Sequence, residues 1–513
     1  MSAIACWGRA IWRHAVPLLL LCGAMPLAAK PLNAVLPQFD QDVERIFGAY
    51  HIPGAAVAVV QNGRVVYIKT LGVGSTQKRN PVNEHTAFRL ASVSKTFAAV
   101  LAGQAAHAGE LNLNAPLSRY LPGFRLKYDT GNRLTLRNVL SHTSGLPHNA
   151  NDNLLEAGES YSSVLRKTQR LGAACGIGRC FGYQNILYST IGDVLSRQLR
   201  HSYADLLEIR IFRPLGMEDA SASRWSMLNN RNIAVPHVKG GGGWVARPIT
   251  QPYYNVLPAA GVNASITDMA KYLAAVMGHR PDVIPPAVMK ELTKPLVRSP
   301  KEGWTSKWRK TRVKQPMYGM GWRIFQYNGN HRMIFHAGGL SGVRSRLGFL
   351  PEKDIGIVML WNANESHPEV LMPMLFDRLL DLPEVDYLDG AAGHASYAAA
   401  HQVAAPSATA LAVAKPPVKS KKATTHQPKK KVTRTATVQS KKKVTRTATV
   451  QSKKKISRST AQVRRVSAKP AAGVVKPLAV KRVNPAPVKA GEIRSLTAER
   501  VGYDPAVGPA GKK

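Results

Sequence analysis

The chain has 513 residues, and its 71 Lys and Arg residues outnumber its 30 Asp and Glu residues, which gives a net charge of +41. With 44% hydrophobic residues it can form a folded core, which excludes a wholly disordered protein. No apolar run reaches the roughly 20 residues of a membrane-spanning helix, which excludes a polytopic membrane protein. The four cysteines are too few for a disulfide-rich mini-domain and lack zinc-site spacing.

The N-terminal segment 1–29 has the order of a secretory signal. Two arginines precede the apolar run 15–21, and small residues follow at Ala28 and Ala29. We therefore expect cleavage after Ala29 and an exported protein, periplasmic or secreted. The alternatives are a buried N-terminal helix and a lipoprotein anchor at Cys22, which is disfavoured because the residue before it is a leucine.

Residues 30–385 have the pattern of one folded domain. The apolar runs 55–60 and 65–68 flank an Asn-Gly pair, which predicts a β-hairpin with a tight turn. The segment 95–107 is rich in Ala, Val and Leu, contains no proline and ends before Gly109. It predicts a mostly buried helix with a glycine at its C-terminal end.

The C-terminal part of this domain returns to strands, at 333–335, 344–349 and 355–360, and a final helix is predicted over about 368–380. The stretch 110–250 reads as mixed helix and loop. Strands at both ends with helical segments between them predict an α+β fold. We expect one antiparallel sheet closed by the two ends of the chain, helices on its faces and a largely helical inserted subdomain.

Residues 386–513 form a basic tail. From residue 401 onward the tail has 27 Lys and Arg against 3 Asp and Glu, a net charge of +24, with one aromatic residue. A 12-residue unit at 429–440 recurs identically at 441–452. Such a composition cannot bury enough apolar surface to offset the entropy of ordering, so we predict a disordered Lys/Ala/Pro-rich tail.

A flexible polycation binds polyanions in a salt-dependent way. After export, the candidate partners of the tail are lipopolysaccharide, anionic phospholipid and other acidic envelope polymers. No nucleic acid partner is expected there. The alternative is a solubilising linker without a particular partner.

The candidate nucleophile is Ser92, in the segment Ser92-Val-Ser-Lys95. Ser-x-x-Lys also occurs at Ser75/Lys78 and twice in the tail, so the pattern has meaning only in its context. Ser92 opens an apolar helix, where a three-residue step places Ser92 and Lys95 on one face. A lysine shielded by apolar side chains loses proton affinity and can act as a base. The alternative is a helix-capping serine beside a solvated lysine.

Two further motifs follow Ser92 at domain-sized distances. They are the Tyr-x-Asn motif Tyr183-Gln-Asn185 and the His-x-Gly motif His336-Ala-Gly338-Gly339. Each has a competing copy in the chain, Tyr253-Tyr-Asn255 in a proline-flanked loop and His107-Ala-Gly109 at the end of the predicted helix.

With these motifs in place, the sequence resembles the serine β-lactamase and penicillin-binding protein superfamily, in the branch of the class C β-lactamases, D-Ala-D-Ala carboxypeptidases and related esterases. The resemblance covers about residues 40–380. The matching segments are Ser92-Val-Ser-Lys95, Leu140–Pro147, Tyr183-Gln-Asn185, Pro214–Met217, Tyr318–Trp322 and His336–Gly339. The resemblance implies the fold predicted above, a site between the sheet and the helical insertion, and no need for a metal or another cofactor.

The resemblance also implies roles for the motif residues. Ser92 would attack a carbonyl and form an acyl-enzyme, while Lys95 and Tyr183 would share the proton relay and later activate the hydrolytic water. Asn185 would donate to a substrate carbonyl, unless it only braces its loop. The backbone N–H groups of Ser92 and Gly339 would form an oxyanion hole.

The closing-strand motif departs from the class C pattern, which has Lys-Thr-Gly where this chain has His336-Ala337-Gly338. Histidine weakens the fixed positive charge near pH 7, and Ala337 lacks a hydroxyl group. Arg344 or Arg346 on the next strand either compensates or is solvated. These departures argue against efficient β-lactam turnover.

The sequence therefore predicts an exported serine hydrolase that acts on a β-lactam, a D-Ala-D-Ala peptide, for example one derived from peptidoglycan, or an ester. The alternative is a non-catalytic envelope-binding protein with a hydrolase-like fold. His142 is interpreted as part of a structural turn. Cys175 and Cys180 would either close a small disulfide loop in an oxidising compartment or remain free thiols.

Overall fold

The computed structural model describes residues 30–388. The predicted signal segment 1–29, and the predicted tail from residue 389 onward, lie outside the described residues. Residues 386–388 were assigned to the tail from the sequence, yet Tyr387 and Leu388 are buried on the domain. Arg312 Nε donates to the Tyr387 hydroxyl at 2.9 Å.

The strands and helices of the described chain are named here in chain order. The strands are β1 (Gly54–Gln61), β2 (Arg64–Gly72), β3 (Phe88–Arg89), β4 (His237–Gly240), β5 (Gly243–Ala246), β6 (Asn263–Ala264), β7 (Val297–Arg298), β8 (Val313–Tyr318), β9 (Arg323–Tyr327), β10 (His331–Leu340), β11 (Val343–Leu350) and β12 (Ile355–Trp361). The helices are α1 (Leu32–Ala49), α2 (Ser94–His107), α3 (Leu117–Tyr120), α4 (Leu136–Leu140), α5 (Asp152–Glu156), α6 (Tyr161–Gln169), α7 (Thr190–Leu199), α8 (Tyr203–Leu207), α9 (Arg213–Leu215), α10 (Arg224–Asn229), α11 (Leu257–Ala260), α12 (Ile266–Ala274), α13 (Pro286–Leu292), α14 (Lys307–Arg312) and α15 (Leu371–Leu379).

Within the described residues, an eight-stranded sheet runs in the order β2-β1-β12-β11-β10-β9-β8-β7, with antiparallel neighbours. The first long strand pairs with the last, and Ala55 lies opposite Trp361. The sheet is therefore closed by the two ends of the domain. The predicted α+β fold is confirmed.

Strand β1 shows why its sequence is apolar throughout. Ala56 and Ala58 belong to the core beneath the helical insertion, whereas Val57 and Val59 belong to the core beneath α1 and α15. Successive side chains of a strand point to opposite faces, so a strand covered on both faces is a continuous apolar run. The sheet is thus the middle of three layers.

The helical insertion lies between β2 and β7 in the chain and contains α2 to α13. Helix α2 is buried over most of its length, and the helix ends where Gly109 takes a φ of +72°. The final predicted helix is shorter than expected, because a 3-10 turn at His367–Val370 precedes α15. Among the described helices, none combines the length and apolar character needed to cross a bilayer.

The insertion also contains a disulfide bond, which joins Cys175 and Cys180 with a Cα–Cα distance of 6.3 Å. Of the two alternatives left open by the sequence, the structure has the bonded one. The loop closed by this bond leads directly into Phe181 and Tyr183.

Candidate active site

Ser92 lies in a 3-10 turn, Ala91–Val93, that leads directly into α2. The turn is held from the insertion side, because Leu90 N donates to Val262 O at 2.9 Å. Ala91 has a φ of +48°, in the left-handed region that residues with a Cβ seldom adopt. Such strain persists only where the surroundings hold it, and it is typical of functional turns.

Lys95 is fully buried one helical turn after Ser92. Its Nζ lies 2.6 Å from Asn185 Oδ1, 3.0 Å from the Ala259 carbonyl oxygen and 3.4 Å from Ser92 Oγ. Burial lowers the pKa of Lys95 well below its ordinary value. The negative charge of Asp152 opposes this shift, and the positive charge of Arg323 adds to it.

This arrangement suits a neutral amine. A neutral lysine has two N–H donors and one lone pair. Asn185 and Ala259 present two oxygens that can only accept, and they use both donors. The lone pair is then left for the Ser92 hydroxyl, which is the geometry that a general base needs.

The ring of Tyr183 lies beside the same amine, with Lys95 Nζ 4.6 Å from the ring centroid. Burial raises the pKa of Tyr183 to about 12, although Arg323 and a hydrogen bond with Ser92 lower it. At neutral pH Tyr183 is therefore a phenol that can give a proton. The same burial disfavours a phenolate form of Tyr183 as the base.

Asn185 contacts a residue that was missed in the sequence. Its Nδ2 donates to Asp152 Oδ2 at 2.7 Å, and Asp152 Oδ1 is buried without a hydrogen-bond partner in the described chain. Burial raises the pKa of Asp152, while Asn185 and Lys95 lower it. Asp152 opens α5, in a loop whose sequence has no recognisable signal.

Arg323 is the second residue that was missed. It is buried at the start of β9, and its guanidinium carbon lies 5.7 Å from the ring centroids of both Tyr183 and Tyr318. Its Nη2 donates to Glu302 Oε1 at 2.9 Å. A permanent positive charge therefore stands beside the site, although the strand motif has lost its lysine. The sequence feature that could have identified Arg323 is its position directly after the family-like segment 318–322.

His336 is fully buried and lies next to Tyr318. Its Nε2 lies 3.3 Å from the Tyr318 hydroxyl, and its Nδ1 lies 3.0 Å from the Ala337 carbonyl oxygen. Burial lowers the pKa of His336 well below its ordinary value, and Arg323 and Lys95 lower it further. His336 is accordingly neutral at pH 7 and supplies no fixed charge.

His142 lies against Tyr183, with ring centroids 4.4 Å apart. Its Nδ1 accepts a hydrogen bond from the backbone N–H of Gln184 at 3.2 Å. Burial lowers the pKa of His142 well below its ordinary value, helped by Lys95 and Arg323. The contact braces the Tyr-x-Asn loop, in agreement with a structural role.

The C-terminal end of β10, which pairs with β11 but not with β9, forms one wall of the site. Pairing with β9 reaches only Phe335, and pairing with β11 places Gly338 opposite Ser345. A Cβ at Gly338 would lie 2.2 Å from the Leu90 carbonyl oxygen and 3.2 Å from Ser92 N. Only glycine permits this approach. The backbone at Gly338 therefore lies close against the turn that carries Ser92.

The two arginines on β11 differ from each other. Arg346 is buried, forms an ion pair with Glu369 and donates to Gly338 O at 3.0 Å, so it is not solvated. Arg344 donates to Leu340 O at 2.7 Å and lines the adjoining cleft. Among Arg323, Arg344 and Arg346, it is Arg323 that lies beside the Tyr183 ring.

The competing motif copies have other roles. Tyr253 donates to Glu156 at 2.6 Å in the cleft wall. Ser75 accepts hydrogen bonds from the N–H groups of the two residues of its own turn at 77 and 78. His107 is the last residue of α2. The structure brings together Ser92, Lys95, Tyr183, Asn185, His336, Gly338 and Gly339, and it leaves these copies outside that set.

A cleft of about 1150 Å³ opens along β10 beside this set, lined on one side by residues 337–341 and on the other by loops of the insertion. In residues 30–388, no three His, Cys, Asp or Glu side chains gather so that they could hold a metal ion.

The sequence pattern of a family described as Beta-lactamase matches residues 39–379. Protein flp of Staphylococcus aureus (strain COL) is 24% identical over 352 residues, which are 67% of this chain and 66% of that protein. The chain thus spans about two thirds of the length of this relative. A beta-lactamase of Escherichia coli (strain K12) is 27% identical over 386 residues, 68% of this chain and 95% of that protein.

Two solved structures have a similar fold. The octameric penicillin-binding protein homologue from Pyrococcus abyssi has a TM-score of 0.61 at 20% identity, over 68% of this chain and 78% of the other. A class C beta-lactamase has a TM-score of 0.54 at 23% identity, over 66% of this chain and 96% of the other.

Proposed function

The chain belongs to the beta-lactamase family, and we propose that it is a serine hydrolase that forms an acyl-enzyme at Ser92. The observation that carries this proposal is the buried Lys95, held between two acceptors with its third position toward Ser92 Oγ. Burying a lysine costs stability, and such buried ionisable groups are found mainly where the neutral form takes part in function.

In the acylation step, Lys95 takes the proton from Ser92 Oγ as that oxygen attacks the substrate carbonyl carbon. The oxyanion that forms is stabilised by the backbone N–H groups of Ser92 and Gly339. When the tetrahedral intermediate collapses, the leaving group receives the phenol proton of Tyr183. Tyr183 recovers this proton from the Lys95 ammonium, and the acyl group remains on Ser92 as an ester.

In the second step, water attacks the ester carbonyl and gives its proton to the Lys95 and Tyr183 pair. Ser92 Oγ leaves and is reprotonated by the same pair, and a carboxylic acid is released. The positive charge of Arg323 favours each anionic stage, since it lies near the site in a water-poor environment.

For the substrate we propose an ester or a peptide of the D-Ala-D-Ala type in preference to a β-lactam. His336 is buried against Tyr318 and Ala337 has no hydroxyl, so the strand presents neither a lysine charge nor a side-chain donor. The backbone edge at Gly338 and Gly339 and the long cleft remain available to an extended acyl donor.

The test has two parts. A fluorophosphonate or a fluorescent penicillin should label the wild-type protein, and Ser92→Ala should abolish labelling while Ser75→Ala preserves it. Labelling that survives Ser92→Ala would overturn the assignment. A parallel assay with nitrocefin, a D-Ala-D-Ala peptide and a short-chain p-nitrophenyl ester then ranks the substrates, and nitrocefin as the best substrate would contradict our preference.

We also propose that the protein is exported and that its basic tail retains it at an anionic envelope surface. This proposal rests on the sequences of 1–29 and 389–513. Deleting residues 401–513 should leave turnover of a small ester intact and remove retention that is sensitive to salt. Loss of turnover would show that tail and domain are not separable.

A further inference from the structure

The cleft beside Ser92 is strongly basic. Four arginines line it, Arg89, Arg247, Arg344 and Arg346, against the single acidic lining residue in the described chain, Glu156. Arg346 forms an ion pair with Glu369, which it shares with Arg309, but no ion pair with an acidic side chain is found for Arg89, Arg247 or Arg344 in the described residues. A cleft lined by one sign of charge concentrates ligands of the opposite sign.

Arg89 has the environment of a binding group without its ligand. The residue is 4% exposed, and its Nε and Nη2 are buried without an acceptor among the described residues. Its guanidinium carbon lies 4.4 Å from the ring centroid of Tyr254. A buried donor without a partner costs free energy, so its retention in the cleft wall calls for an acceptor that arrives from outside.

The support around Arg89 is rigid. Arg89 pairs with Asn263 across β3 and β6, and the Tyr254 hydroxyl donates to Asn263 Oδ1 at 2.6 Å. Stacking on Tyr254 holds the planar guanidinium in one orientation, which lowers the entropy lost on binding. Arg247 is exposed in the same cleft, two residues before Ile249, which packs with Tyr254 in one apolar cluster.

Arg89 lies three positions before the proposed nucleophile, Ser92, so their Cα atoms are at most roughly 11 Å apart. One small molecule can therefore place a carbonyl at Ser92 and a charged group at Arg89. A guanidinium matches a carboxylate through two parallel N–H···O bonds. Glu156 is held by Tyr253, which leaves the arginines to the incoming group.

We propose that Arg89 and Arg247 form a subsite for a carboxylate of the acyl donor, distinct from the group that reacts with Ser92. The substrate is then an acyl donor with a second, remote carboxylate. This inference rests on the proposed function, since it assigns a charged substrate to the same nucleophile.

The test compares two esters on the full chain, mono-p-nitrophenyl suberate and its methyl ester, which differ only in the remote charge. We expect wild-type kcat/KM to favour the charged ester by about tenfold, as for one charge-assisted hydrogen-bonded pair. Arg89→Gln should bring the ratio to about one, and Arg89→Lys should retain part of it. A wild-type ratio near one overturns the subsite.

Because Arg89 is buried, Arg89→Gln could disturb the fold. Its ratio is therefore interpreted only if the variant still reacts with a fluorophosphonate. If it does not, the exposed Arg247→Gln decides the matter. We expect that variant to reduce the ratio at least threefold, and a ratio unchanged from wild type overturns the subsite.

A binding measurement separates this inference from the proposed function. Monomethyl suberate is titrated calorimetrically into Ser92→Ala, with dimethyl suberate as the neutral control. If Ser92→Ala binds the acid more tightly than the neutral control, and Ser92→Ala/Arg247→Gln does not, the subsite is supported. This conclusion holds even if the wild-type protein hydrolyses neither ester, a result that would overturn the proposed hydrolase function. Hydrolysis of both esters without preferential binding overturns the subsite alone.

Discussion

Asn185 donates its Nδ2–H to the Asp152 carboxylate at 2.7 Å, and this hydrogen bond determines which end of the amide faces Lys95. A carboxylate can only accept, so the amide nitrogen must point to Asp152 and the amide oxygen to Lys95, 2.6 Å away. Asp152 thereby orients the group that holds the proposed base, without touching Ser92.

Asp152→Asn should lower kcat/KM about tenfold or more, because the Asn185 amide is no longer held in one orientation. The charge of Asp152 also raises the pKa of Lys95, so its removal lowers that pKa. The acid limb of the pH profile of kcat/KM requires neutral Lys95 and should move to lower pH. The exposed, ion-paired Asp282→Asn is the control. An acid limb that stays in place would show that Asp152 does not act through Lys95.

Arg323→Met should shift the acid limb of the pH profile of kcat/KM to higher pH, the opposite of the shift expected for Asp152→Asn. Arg323 lowers the pKa of Lys95, so removing it raises that pKa and shifts the acid limb to higher pH. The variant also removes one of the two arginines paired with Glu302, which keeps Arg309, so the free energy of unfolding in urea should fall by about 1–3 kcal/mol. Arg323→Met/Glu302→Gln should recover part of that stability but keep the shifted profile. A limb that moves to lower pH would refute this electrostatic assignment.

Tyr183→Phe should slow acylation about 10²- to 10⁴-fold, because it removes the proton that the leaving group receives. The matched control is Tyr253→Phe, which changes the other Tyr-x-Asn copy and breaks a hydrogen bond to Glu156. With an uncharged p-nitrophenyl ester, which carries no group for the cleft arginines, it should alter acylation by no more than about twofold. Stopped-flow release of p-nitrophenol measures both rates, and equal effects of the two variants would contradict the assignment of Tyr183.

Much of the fold followed from local patterns, whereas the charges around the site did not. The apolar segment 95–107 and its glycine end predicted α2, since both signals are local. Arg323 was missed because its place beside Tyr183 depends on the β9–β10 register, with Arg323 opposite Phe335. This register is local to a hairpin, but Tyr183 lies in the insertion, so its contact with Arg323 joins segments that are distant in sequence.

Asp152 was missed for a related reason. Its loop reaches the site because Asn149 N donates to the Tyr183 carbonyl oxygen at 2.7 Å, a contact between segments 34 residues apart. Arg346 was expected either to compensate for the missing lysine or to be solvated. It does neither, since Glu369, from the segment before α15, pairs with it.

Buried histidine should make the fold sensitive to acid. The pKa of His142 is lowered in the folded state, so only the unfolded chain binds a proton there below about pH 6.5. The contribution of His142 to the free energy of unfolding should then begin to fall near pH 6.5, by up to about 1.4 kcal/mol per pH unit, and buried His336 should add a similar fall.

His142→Asn keeps an acceptor for Gln184 N and should reduce that slope, whereas the exposed His201→Asn should not. Urea unfolding at pH 8, 6.5 and 5.5 gives the slope of the free energy of unfolding against pH for each variant. Equal slopes in wild type and His142→Asn would mean that this histidine is not the acid-sensitive group.

The pairing of β1 with β12 has a consequence during synthesis. The inner edge of β1 has no partner until residues 355–361 have left the ribosome, about 300 residues after the strand itself. A nascent chain therefore carries an open apolar strand edge through most of translation, a recognised route to aggregation. Premature stop codons before residue 355 should accordingly yield chaperone-dependent, insoluble fragments.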